Sequence, residues 1–136
     1  MQGSTYSAHP ISCAAGVANL QLIDDENLIE SGHLIANYFN NKLIEKLEDH
    51  QLVGDVRSAG LLSAVEFVKD KKNRNFFDKQ GQFAQKLVTV MSKNGVLARA
   101  MPSGDTLGFA PALCLNEKEA DIIIEKTLIS LKEITS

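Results

Sequence analysis

Asn116 and Glu119 stand three positions apart at the head of a long apolar stripe, and this pairing fixes the architecture of the C-terminal stretch more tightly than any other feature of the chain. An asparagine followed by a glutamate at that spacing forms a capping box, in which each side chain takes up an amide left unpaired at a helix start. Ala120, Ile123, Ile124, Thr127, Leu128 and Leu131 then recur at helical spacing. The sequence therefore predicts a terminal helix with one apolar face, and that face needs a surface supplied by the residues upstream.

Those residues alternate between helical and strand-sized patterns. Pro10 suits the first turn of a helix, where its missing N–H has no partner to lose, and Ile11, Ala14, Ala15, Ala18 and Leu22 mark one face of a helix to about Asp24. Asn27 is placed to cap a second helix reaching His50, with Leu28, Ile35, Phe39, Leu43 and Leu47 on one side. Gly54 breaks the chain before Val56, and Leu61–Val68 (LLSAVEFV) has the length and branched composition of a strand, so two short strands are expected here. Lys69–Asn75 (KDKKNRN) reads as a solvated connector.

A third helix is predicted from about Phe76 to Asn94, with Phe83, Ala84, Leu87, Val88 and Met91 inward, Gly81 weakening its first half and Gly95 as the left-handed residue that ends it. Strands follow at Val96–Ala100 and Thr106–Ala110, separated by Met101-Pro102-Ser103-Gly104-Asp105. Helices and short strands in this order imply an α+β fold of two layers, a small and mostly antiparallel sheet covered by helices.

Composition narrows the function. The chain has 136 residues, 44% of them hydrophobic, and a formal net charge of −3, enough for one real core and unsuited to a polyanion surface, so nucleic acid is not an expected partner. No apolar run reaches the roughly 18 residues that span a bilayer. No signal-peptide pattern opens the chain, and a soluble, cytoplasmic protein is expected. Cys13 and Cys114 lack a CxxC partner and fall among small or apolar residues, which suggests two buried free thiols. His9, His33 and His50 have no metal-ligand spacing, and no HExxH, GxGxxG or Walker loop is present.

Two places carry chemistry. In GSTYSAHP, Gly3–Pro10, three hydroxyl residues precede a helix whose first amides are unpaired and whose N-terminus is partially positive, so Thr5 with its neighbours could donate to a phosphate. The same hydroxyls could equally be plain helix caps. In GVLARAMPSGDTLGFAPAL, Gly95–Leu113, Arg99 stands in an apolar strand beside a turn. It could grip a carboxylate through two parallel hydrogen bonds, or lay its stem on the core and its head in water.

Three segments together resemble the C-terminal part of class III aminotransferases: YSAHP after Gly3-Ser4-Thr5, LVGDVRSAGLLSAVEFV from Leu52, and ARAMPSGDTLGFAPAL with the NEKEAD helix start behind it. The nearest group is the ω-amino acid or amine:pyruvate transaminases. The resemblance runs nearly end to end in the right order. Ala8, Ser58, Ala59 and Ala112 replace residues usual in the family, each a small-for-small change.

The resemblance implies a pyridoxal-phosphate enzyme of the aspartate-aminotransferase fold, working as a homodimer on an amino donor and a keto acid such as pyruvate. It assigns Thr5 to the cofactor phosphate, reached across the dimer interface into the neighbouring subunit, with Ser4 supplying an adjacent backbone contact. It assigns Arg99 to the substrate carboxylate and makes Gly104-Asp105 the shape of the turn beside it. Residues 1–24 would end the large domain and 25–136 would form the small domain. The family's Schiff-base lysine, ring-pairing aspartate and stacking aromatic lie upstream of the matched region, and Lys42, Lys46 and Lys86 read as surface residues on helices. The chain alone is therefore not expected to transaminate. A stand-alone, non-catalytic α+β binding or assembly module derived from that fold stays open as the alternative.

Overall fold

Four helices and four strands, in the order α–α–β–β–α–β–β–α, make up the computed structural model, which describes Gly3 and residues 5–136. Helix α1 spans Pro10–Asp25 and α2 Leu28–Leu47. Strands β1 (Val53–Ala59) and β2 (Leu62–Phe67) form a hairpin. Helix α3 (Gln82–Lys93) leads to β3 (Arg99–Ala100) and β4 (Thr106–Phe109), and α4 (Glu117–Thr135) closes the order.

The sheet has strand order β1-β2-β4-β3, and every pairing is antiparallel. Alternation along β2 buries Ser63, Val65 and Phe67, and period-two side-chain placement puts Leu62 and Ala64 on the opposite face. Helices α2 and α3 pack on the sheet, and α4 packs on both of them. One core results, in which Phe39, Leu43 and Leu47 of α2 meet Val65, Phe67, Leu107 and Phe109 of the sheet, Leu87 and Met91 of α3, and Ile124 and Leu131 of α4. The Phe39 and Phe109 rings cross edge to face at 5.7 Å, a geometry that suits the ring quadrupoles. This is the expected two-layer α+β fold.

Local signals held where both partners are near in sequence. The capping box at α4 forms in both directions, Asn116 accepting from Glu119 N at 3.0 Å and Glu119 from Asn116 N at 3.2 Å. Gly95, at φ 89°, ends α3 in a Schellman motif, with Val96 N donating to Met91 O and Gly95 N to Ser92 O.

Elsewhere the structure corrects the sequence. Asn27 precedes α2 in the left-handed region at φ 49° and makes no side-chain cap. Gly54 does not break the chain: it sits in β1 at a register shift between Val53 and Asp55, and a Cβ there would lie 2.7 Å from Val68 Cγ1. Helix α3 starts only after Gly81, whose φ of 82° cannot continue a helix. Strand β3 is two residues long rather than five. Cys13 and Cys114 are both exposed, because α1 buries none of its residues and Cys114 lies in the loop before α4. Among the described residues, no helix is long and apolar enough to cross a membrane.

Candidate functional site

The β1–β2 hairpin and the β3–β4 hairpin share one open face, and Arg99 lies on it. A groove of about 640 Å³ runs there, lined by Arg57, Leu62 and Ala64 on one side and by Leu97, Arg99, Met101 and Gly108 on the other. Its wall is mostly apolar, with two guanidinium groups as the cationic features. They differ in what they hold.

Arg57 is engaged by its own sheet. It donates to Asp55 Oδ2 and Glu66 Oε2, each at 2.9 Å, and these bonds, to Asp55 first and Glu66 second, raise its pKa beyond the ordinary guanidinium value. Arg99 is exposed, and its guanidinium has no hydrogen-bond or ion-pair partner among the described residues. A planar cation with several free N–H groups, next to apolar walls, is suited to a carboxylate on a partly apolar molecule. No lysine lines the groove. Lys42 instead donates to Tyr38 Oη at 2.7 Å and Asp121 Oδ1 at 2.5 Å, so it ties α2 to α4.

The turn between β3 and β4 is built around Asp105. Its carboxylate, 4% exposed, accepts from Gly81 N and Ala84 N, both at 3.0 Å, and so caps α3 from across the fold. The sequence places Asp105 in the turn but does not reveal this role. The available signal was an aspartate directly followed by a strand of buried residues, where a carboxylate needs donors.

Thr5 lies in an exposed turn ahead of α1, and Ser4, the other residue assigned to a phosphate, falls outside the described residues. The N-cap residue of α1, His9, makes no side-chain cap. Pro10 has no N–H, and helix geometry leaves the amides of Ile11 and Ser12 without intrahelical acceptors. Ala8 adopts φ 58°, a left-handed conformation costing an alanine about 1 kcal/mol, at the position where the resemblance has glycine. The Thr5 hydroxyl can donate as well as accept, and the helix-end amides are donors of the kind an anion takes. The groove beside Arg99 has no lining residue from this segment, so one chain does not bring Thr5 and Arg99 into a single cavity.

Comparison with known proteins identifies the family. The family model for class III aminotransferases matches residues 1–129. The diaminobutyrate–2-oxoglutarate transaminase of Halomonas elongata is 36% identical over 133 residues, 98% of this chain and 28% of that protein. Among solved structures, a transaminase from a directed-evolution study by ancestral reconstruction superposes with a TM-score of 0.92 at 40% identity, over 98% of this chain and 29% of its own. The ω-transaminase of Pseudomonas jessenii, solved with PMP, superposes with a TM-score of 0.90 at 32% identity, over 98% of this chain and 29% of its own. The chain thus spans less than a third of each protein it matches. Enzymes of this family depend on pyridoxal phosphate. With its order of elements, its sheet and its sequence matched nearly end to end, the chain belongs to the class III aminotransferases.

Proposed function

We propose that this chain is the C-terminal part of a pyridoxal-phosphate-dependent aminotransferase that moves an amino group from an amine or ω-amino acid to a keto acid such as pyruvate. The observation that carries the reading is the unpartnered Arg99 guanidinium on an apolar groove, in a chain of this family. Residues 1–24 are read as the end of the large domain with the phosphate loop, and 25–136 as the small domain.

When bound, the cofactor supplies an electron sink for the carbon that carries the amino group. The residues of this chain bind and orient. Arg99 holds a substrate carboxylate through paired N–H donors, while Leu62, Leu97 and Met101 offer an apolar wall to the rest of the molecule. Thr5, with Ser4 beside it, holds the cofactor phosphate of the neighbouring subunit, so the working unit is a homodimer, placed in the cytoplasm. Neither Thr5 nor Arg99 moves a proton. The exposed apolar side chains of α1, Ile11 and Leu20 among them, support a piece that packs on further protein over a self-sufficient binding module.

The test is the intact mass and visible absorption of the protein isolated from its source with an antibody against this segment. A much heavier chain with the absorption of bound pyridoxal phosphate is expected. A native chain of 14.8 kDa without that absorption would overturn the reading.

A further inference from the structure

Arg99 sits on the least supported strand of the sheet. β3 has two residues and pairs only with β4, at the sheet edge, so its ladder alone fixes the arginine poorly. Beyond it the chain passes through Met101, Pro102 and Ser103, all exposed, before the half-buried Gly104 at φ 72°. Asp105 is the first buried residue after Arg99.

Two elements converge on that aspartate. Its carboxylate oxygens accept separately from Gly81 N and Ala84 N at the start of α3, and its carbonyl accepts from Phe67 N at 2.7 Å at the end of β2. The next residue, Thr106, accepts from Met101 N at 2.8 Å and closes the turn that leads back to Arg99. The helix end favours the negative charge, and burial keeps water from competing for it.

We infer that Asp105 is a positioning residue for substrate acids: by pinning the β3–β4 turn to the N-terminus of α3 it holds Arg99 where a carboxylate can meet two of its N–H donors at once. The inference rests on the reading of Arg99 as the carboxylate clamp. Asp105 itself lines no part of the groove. Its loss leaves Arg99 in place as a charge but lets the strand that carries it drift, and a displacement of 1 Å can cost about 100-fold in a positioned contact.

The experiment uses the full-length enzyme with a carboxylate-bearing amino donor and a donor of similar size that lacks the carboxylate. For each variant the ratio of the two kcat/KM values is measured. Arg99→Ala is expected to collapse the ratio, and Asp105→Ala to lower it about ten-fold, within the scale of a displaced contact. In the Arg99→Ala background, Asp105→Ala should leave the ratio unchanged. Asp105→Asn, which keeps the shape and one acceptor oxygen, should fall between wild type and Asp105→Ala, and it carries the same test if the alanine variant does not fold. A purely structural role lowers both donors together and leaves the ratio alone. That result, with Arg99→Ala still discriminating, overturns the inference by itself. Equal loss for both donors in Arg99→Ala overturns the clamp and the inference with it.

Discussion

Arg99 stands directly across the β3–β4 ladder from Gly108, so the guanidinium stem has no side chain opposite it on the sheet. The arginine therefore leaves an edge strand with no directly opposed side chain, the space over Gly108 being taken by Met101. With two charge-assisted hydrogen bonds at stake, Arg99→Ala in the full-length enzyme should lower kcat/KM for a carboxylate-bearing donor by about 100-fold, taking 1.5–3 kcal/mol for bonds to charged groups. A simple amine should change far less. Steady-state kinetics on the two donors check this, and equal losses would remove Arg99 from substrate recognition.

Gly108 also makes room for Met101. A Cβ at position 108 would lie 3.0 Å from Met101 Sδ, so Gly108→Ala obliges the flexible thioether to move by a few tenths of an ångström. Both residues line the groove, and the shifted methionine narrows it beside Arg99. Bulky amine donors should lose several-fold more activity than small ones, as one misplaced methylene is worth about 10-fold or more in a close-fitting pocket. A uniform loss across donor sizes would count against Met101 as part of the wall.

Thr5 offers a different readout, because its proposed partner is the cofactor. Losing one hydroxyl donor to a charged phosphate should weaken cofactor retention in Thr5→Ala by about ten-fold or more, from roughly 1.5–3 kcal/mol. The fold should keep its stability, since Thr5 is exposed and α1 buries none of its residues. Dialysis against buffer without cofactor, followed by absorbance, measures the effect. Unchanged retention would refute the phosphate role.

Features legible in the sequence share one property: their partners lie within a few residues. The capping box at Asn116, the Schellman motif at Gly95 and the apolar stripe of α4 are all closed by local spacing. So is the β1–β2 hairpin, whose two strands are separated by two residues. The missed features depend on distant contacts. Asp105 caps a helix 21 residues upstream at Ala84, and Gly54 is small because Val68 crosses it. No periodicity reports either relationship. Arg99 was legible as a lone charge in an apolar strand, but its freedom was not, because it depends on Arg57 being the guanidinium held by Asp55 and Glu66.

His50 gives the chain a pH dependence in the mildly acidic range. The imidazole is half-buried after α2, and its Nδ1 accepts from Leu52 N at 3.2 Å, a bond only the neutral ring can make. Burial lowers its pKa from the ordinary 6.5. The unfolded chain therefore binds the proton more readily, so this contribution is present above pH 6.5 and is lost as pH falls through the lower folded value. Stability of the chain in urea should drop as the pH is lowered below 6.5. His50→Gln, which does not titrate, should flatten that slope. A slope unchanged by the substitution would place the titration elsewhere.

Helix α1 supplies the last prediction. Over its 16 residues it buries none, while Ile11 and Leu20 are 76% and 64% exposed and Val17 and Leu22 also face outward. It has few charges before Asp24 to keep such a surface solvated. Burying a side chain of this kind fully is worth about 1.5–3 kcal/mol, so two or three of them are enough to drive association at working concentrations. The 136-residue chain should self-associate in sedimentation velocity as its concentration is raised. Replacing Ile11 and Leu20 together with lysine should weaken that association at least ten-fold, about 1.4 kcal/mol, without lowering the urea midpoint, because neither residue belongs to the core. Monomeric behaviour of the unaltered chain across the series would mean that α1 covers its apolar side chains within its own fold.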